Sequence, residues 1–123
     1  MKLKKRICIV IPCYKVSNNI IDVINSKFLK RVDKIVIVDD DCPEHTGKKV
    51  NQIFRKNPKI KVLKHKINKG VGGATITGFK YALKNKFDIV IKVDGDGQHN
   101  LQILKSLISA LSNKYEFCKG YRN

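Results

Sequence analysis

The sequence predicts an α/β fold, a doubly wound and mostly parallel sheet with helices on both faces. Three observations predict it. The runs "ICIVI", "IVIV" and "IVIKV" are rich in Ile and Val and nearly continuous in apolarity, which marks strands covered on both sides. Segments with helical spacing separate those runs, so strands and helices alternate. The unusual residues, paired acids and glycines, fall where strands end, and sheets of this kind bind ligands beyond the carboxyl ends of their strands.

Taken in order, Arg6 to Ile11 reads as the first strand, followed by Pro12, Cys13 and Tyr14. Asn18 to Leu29 places Ile20, Ile21, Val23, Ile24 and Phe28 on one broad helical face. Lys34 to Val38 is the second strand, and Asp39, Asp40 and Asp41 follow it. A helix over Thr46 to Arg55, capped by Pro43 and Glu44, presents Val50, Ile53 and Phe54. Ile60 to Lys64 is the third strand. Gly72 to Lys84 then forms a helix that presents Ile76, Phe79, Tyr81 and Leu83. Asp88 to Val93 is the fourth strand, ending in Asp94, Gly95 and Asp96. Leu101 to Leu111 carries Ile103, Leu104, Leu107, Ile108 and Leu111 at helical spacing, and "YEFCKGY" closes the chain as a last strand. No repeat, linker or low-complexity tract divides residues 1–123, so one domain is expected.

The net charge is +16 over 123 residues. A field of that sign favours polyanions, whether nucleic acid, anionic lipid or phosphorylated substrates. The lysines interleave with Ile and Asn along the whole chain instead of forming a basic block, so no nucleic-acid partner is expected. Cysteines at 8, 13, 42 and 118 form neither a CxxC pair nor a zinc spacing. They are expected as reduced thiols in a cytoplasmic protein, with Cys8 and Cys118 as small buried hydrophobes. The start "MKLKKRICIVIPCYKV" imitates a signal peptide, but Pro12 interrupts its short apolar stretch and no small-residue cleavage site follows.

The acids set the chemistry. Five of the ten, Asp39, Asp40, Asp41, Asp94 and Asp96, stand at two strand ends. Clustered carboxylates repel one another unless a cation or a donor relieves them. Hard oxygen ligands suit Mg2+ or Mn2+, ions that keep waters and bridge to phosphates. One Asp there would suffice to cap the next helix. "DGDGQHNLQILK" fails as a calcium loop, because His99 and Lys105 stand where Gly and Glu are needed. "GVGGATITGFK" fails as a dinucleotide fingerprint at Thr75, and as a phosphate loop because Phe79 separates Gly78 from Lys80. A glycine-rich helix start remains, suited to a phosphate or to close packing on a sheet.

"IVIPCYK", "IVIVDDDCPEHT", "HKINKGVGGATITGFKYAL" and "VDGDGQH" occur in that order. Together they resemble the nucleotide-binding half of a family 2 glycosyltransferase of the GT-A fold, most closely the dolichyl- or polyprenyl-phosphate sugar synthases. The resemblance implies a Rossmann-like sheet that binds a nucleotide-diphosphate sugar. By the resemblance, Pro12 and Tyr14 line the nucleotide pocket. Asp40 accepts from the base N–H, and Asp39 supports that loop. The segment Asn68, Lys69, Gly70 to Gly73 closes over the nucleotide. Asp94 and Asp96 are the DxD pair, which binds Mn2+ or Mg2+ on the diphosphate while Asp94 reaches the donor, and Gln98 completes the metal shell. Residues two apart in an extended segment point the same way, so both carboxylates can face one cation. Lys69, Lys92 and Arg122 are further phosphate partners by charge.

The resemblance implies transfer to a polyprenyl phosphate or a growing surface glycan. It places the protein in the cytoplasm, at the inner face of the membrane, with peripheral association through its basic surface. Lys15, Asp41, Cys42 and Asn100 depart from the family pattern, which leaves the donor sugar open. The family continues past the "KGYRN" at which this sequence stops. The chain is therefore expected to be incomplete at its C-terminus and to lack the carboxylate base. No residue takes that role, and His99 is assigned to support of the metal pair. His45 and His65 are expected as surface or packing residues. The rival readings are a nucleotide-sugar-binding remnant without transfer, and a basic nucleic-acid-binding protein.

Overall fold

The computed structural model of the chain describes residues 5–14, 24, 32–43 and 45–93. They form β1 (Ile7–Cys13), β2 (Lys34–Asp39), α1 (Thr46–Phe54), β3 (Ile60–Lys64), α2 (Gly70–Lys84) and β4 (Ile89–Lys92). The strands make one sheet in the order β3-β2-β1-β4, and each neighbouring pair is parallel. The expected helices over 18–29 and 101–111 and the last strand lie outside the described residues, apart from Ile24.

The side-chain alternation of the strands builds two cores. Ile7, Ile9, Ile11, Ile35 and Ile37 point to one face, where Ile24 and Val50 are buried with them and Phe54 packs alongside. Cys8, Val10, Val36 and Val38 point to the other face, against Ala74, Ala82 and Phe87. All seven residues of β1 are buried, as its central place requires. Each large aliphatic side chain removed from water contributes about 1.5–3 kcal/mol. Helices thus cover both faces, as expected of continuous apolar runs.

β1 is longer than its sequence suggests, because it takes in Pro12 and Cys13. A proline inside a strand removes a ladder donor. In the register with β4 the last pair is Val10 with Lys92, and the Val93 N–H donates to the Val10 carbonyl at 2.9 Å. Pro12 faces that same side two residues further on, past this last rung, so no ladder bond there uses its N–H. On the β2 side the pairing continues through Pro12–Val38 to Cys13–Asp39.

The helices bury different faces from those expected. In α2, Ile76 is 56% exposed and Leu83 is 72% exposed, with Phe79 also exposed. The buried face is Ala74, Gly78 and Ala82 instead. The reason is proximity to the sheet. A Cβ added to Gly78 would lie 2.3 Å from Val10 Cγ1. Small residues four apart let the α2 backbone rest on β1, and the bulky side chains turn outward. In α1, Val50 is buried as expected, but Ile53 is exposed.

The amino end of the sheet is closed by two acids. The Ile7 N–H donates to Asp33 Oδ2 at 2.7 Å, and the Arg6 N–H to Asp88 Oδ2 at 2.7 Å. The Arg6 guanidinium lies 4.2 Å from the centre of the Phe87 ring and donates to the Asn85 carbonyl at 3.0 Å. These contacts tie off one end of the sheet, and the acids after β2 stand at the opposite end.

Candidate functional site

Register fixes what meets at the carboxyl edge. Cys13, Asp39 and Lys64 stand side by side on β1, β2 and β3. The next residues interlock. The Asp40 N–H donates to the Cys13 carbonyl at 3.1 Å, and the His65 N–H to the Asp39 carbonyl at 2.8 Å. Tyr14 leaves β1 at this edge and is 44% exposed, whereas Pro12 is buried within the strand. Val93 brings the chain from β4 to the same edge. Asp94, Asp96 and Gln98, the expected metal ligands, follow it and lie outside the described residues. So do His99 and the phosphate partner Arg122.

Asp39 and Asp40 are both buried, and their surroundings explain how they tolerate it. Asp39 Oδ1 accepts the Cys42 N–H at 2.8 Å, and Oδ2 accepts the Gly47 N–H at 2.8 Å. Gly47 is the second residue of α1, so this carboxylate satisfies a free donor at the positive end of the helix. The cap position falls to His45 and not to Pro43, and Glu44 lies outside the described residues. His45 stands at the cap position with φ of 55° and makes no capping bond through its side chain. The contact also explains Gly47, because an added Cβ would sit 2.8 Å from Asp39 Oδ2 and 3.0 Å from Val62 Cγ1. Asp41, with φ of 57°, completes the turn in the left-handed region that Asp enters more readily than most residues.

Asp40 is held from the other side. Its Oδ1 lies 2.7 Å from His65 Nδ1 and accepts the Lys69 N–H at 2.8 Å. Its carbonyl accepts from Asn68 Nδ2 at 3.1 Å. Asn68 Oδ1 in turn accepts the Gly70 N–H at 3.0 Å, so one side chain joins the loop after β2 to the start of α2. Gly70 takes φ of 80°, which side chains rarely adopt. A Cβ at Gly73 would meet Lys69 Cβ at 2.6 Å. Burial alone would raise the Asp40 pKa. The His65 hydrogen bond and the N–H groups of Lys69 and Gly70 outweigh it and hold the carboxyl below its ordinary value. The crowding of acids after β2 is thus relieved by protein donors and a histidine.

Of the surface and packing roles expected for His65, the structure gives it the packing one: it is buried between Asp40 and Thr77, with both ring nitrogens engaged. Its position directly after β3, at the carboxyl edge, was the available signal. The cysteines stay free, as expected for Cys8, Cys13 and Cys42. Burial raises the Cys8 thiol to about 11 and lifts Cys13 further, aided by Asp39 and Cys42. Neither is a thiolate nucleophile at neutral pH. Among the described residues, no group of three or more His, Cys, Asp or Glu is placed to hold a metal. Asp39 and Asp40 each accept from protein donors. A cavity of about 650 Å3 between α1 and β3, bordered by Lys48, Arg55 and Lys64, reaches this network only at Gly47.

A parallel 3-2-1-4 sheet, helices on both faces and acids at the carboxyl edge define the Rossmann-like GT-A class of nucleotide-handling folds. The chain belongs to glycosyl transferase family 2, whose pattern it matches over residues 8–121. It is 35% identical to a UDP-N-acetylglucosamine–dolichyl-phosphate N-acetylglucosaminyltransferase of Methanococcus voltae, over 96% of this chain and 52% of the relative. It is 30% identical to a dolichol-phosphate mannosyltransferase of Pyrococcus furiosus, over 95% of this chain and 33% of that protein. The chain therefore spans about half the length of the first relative and a third of the second. A mannosyltransferase of Pyrobaculum calidifontis, solved with GDP-Man and Mn2+, shares the fold with a TM-score of 0.69 at 16% identity, over 90% of this chain and 33% of that one.

Proposed function

We propose that this chain is the donor-binding domain of a metal-dependent glycosyltransferase acting on a nucleotide-diphosphate sugar. One observation carries the reading. The ends of β1, β2 and β4 bring Tyr14, the Asp39–Asp40 loop and the approach to Asp94 onto one sheet edge, in a chain of family 2. Tyr14 offers a ring beside the nucleotide and Asp40 a charged acceptor for the base. In this reading Asn68, Lys69, Gly70 and Gly73 close over the nucleotide, a role supported by the bonds of Asn68 and Lys69 to Asp40. Asp94, Asp96 and Gln98 would hold Mn2+ or Mg2+, which neutralises the charge that develops on the departing nucleoside diphosphate. The acceptor's oxygen takes the sugar at its anomeric carbon as the bond to the diphosphate breaks. The base that prepares a hydroxyl acceptor is assigned to no residue of this chain.

A lipid-linked phosphate is the acceptor this reading favours, since the relatives named above are dolichyl-phosphate transferases. No helix among the described residues is long and apolar enough to cross a membrane. By its charge of +16, which attracts anionic headgroups, the reading places the domain at the cytoplasmic membrane surface. Calorimetry with UDP- and GDP-sugars, with and without Mn2+, tests the central claim. Binding of one donor class that requires Mn2+ and is lost in Asp94→Ala and Asp96→Ala is expected. An absence of metal-dependent binding across the panel would overturn it. Sedimentation with liposomes at physiological salt tests the membrane claim, which fails if anionic and neutral vesicles capture the protein equally.

A further inference from the structure

His65 sits at the centre of the buried network. Nε2 lies 2.8 Å from Thr77 Oγ1, a hydroxyl that also reaches the Gly73 carbonyl at 3.1 Å. Nδ1 lies 2.7 Å from Asp40 Oδ1; a carboxylate oxygen accepts, so Nδ1 donates. Both partners are buried, and removing either strands the other.

The geometry also fixes the carboxylate's direction. The bonds from His65 and Lys69 both end on Oδ1. The carboxyl plane is set by a ring that is itself clamped between β2 and the second turn of α2. We propose that His65 is a positioning residue for base recognition: it holds the Asp40 carboxylate in place as the acceptor offered to the nucleotide base. This rests on the donor-binding reading. A carboxylate fixed in its ionised form accepts and never donates. It therefore selects bases that present a ring N–H, as uracil and guanine do, and rejects adenine and cytosine, which present a lone pair there. His65 needs no contact with the ligand for this.

The experiment compares the 123-residue chain with His65→Ala, His65→Asn and His65→Gln. The Asn amide can donate from the place of Nδ1, and the Gln amide from the place of Nε2. Affinities are measured with Mn2+ for UDP, GDP, ADP and CDP, and for pyrophosphate, which has no base. Wild type is expected to prefer UDP or GDP. His65→Ala is expected to weaken that nucleotide at least tenfold and to leave pyrophosphate unchanged. His65→Asn should recover most of the loss, and His65→Gln little. Equal losses for the nucleotide and for pyrophosphate would mean that His65 only holds the fold, and would overturn the inference. So would an Ala variant that binds like wild type. If wild type binds neither a nucleotide nor pyrophosphate, the donor-binding reading falls and takes this inference with it. Nitrogen-15 spectra of the wild-type histidines near pH 7 give an independent check. A proton on His65 Nδ1, displaced in Asp40→Asn, is expected, and an Nδ1 that carries no proton would overturn the pairing whatever the binding data say.

Discussion

Gly78→Ala should destabilise this protein, although alanine is the better helix former. In an open helix interior the change would gain about 1 kcal/mol. Here the new Cβ would lie 2.3 Å from Val10 Cγ1, 3.0 Å from Cγ2 and 3.2 Å from Cβ. Val10 is buried on the central strand and has little room to yield. Overpacking of this kind costs about 1–3 kcal/mol, and a contact this short belongs at the upper end, so a net loss of about 2 kcal/mol is expected. Val10→Ala alone removes two buried methyl groups and should also cost about 2 kcal/mol. In the double variant both clashing methyls are gone, and only the 3.2 Å contact remains to relax. The new methyl refills part of the space and the helix gain survives. The pair should cost about 1 kcal/mol, against about 4 kcal/mol for the sum of the single changes. Urea titrations that compare midpoints at constant m value measure this cycle. Additive losses, or a Gly78→Ala variant as stable as wild type, would refute the close approach of α2 to β1.

Two further predictions concern the acids. Asp39→Ala should cost about 3–5 kcal/mol, because it orphans the Cys42 and Gly47 N–H groups at a helix start. Asp39→Asn should cost roughly half of that, since its amide keeps one acceptor; a loss below about 1 kcal/mol for Asp39→Ala in the same titration would remove the capping role. Asp40 sets an acid limit. Its folded pKa lies below the ordinary 3.8, so its stabilisation is fully present above that value and fades as pH falls through the lower folded one. The stability gap between wild type and Asp40→Asn should therefore be wide at pH 7 and shrink below about pH 4, and a gap that is flat with pH would contradict the assignment.

β1 and β2 were legible because parallel strands buried on both faces must be apolar throughout, and both ran further than their aliphatic runs. The edge strand β3 showed through Ile60, Val62 and Leu63 although Lys61 and Lys64 are exposed. The buried face of α2 was not legible from its large residues. A search for bulky apolar side chains passes over Ala74, Gly78 and Ala82, although their spacing of four is itself a pattern. The acids after β2 were correctly located at the carboxyl edge, but their partners belong to other elements. Gly47, Lys69 and His65 come from α1, the α2 approach and the end of β3, and only the strand order makes them neighbours. His65 follows β3 directly, so the strand-end rule that locates the acids applies to it equally.

The strand order has a consequence for how the chain is made. β1 lies between β2, its next strand in sequence, and β4, whose approach is marked by the bond from Arg6 to Asp88 across 82 positions. On a ribosome adding about 5–20 residues per second, β1 emerges roughly 4–16 s before the strand that covers its second edge. During that interval the nascent chain carries an unpaired, apolar strand edge with Cys8 and Val10 along it. The same arrangement that sets the binding edge thus makes the first strand the part of the chain most in need of shielding during synthesis.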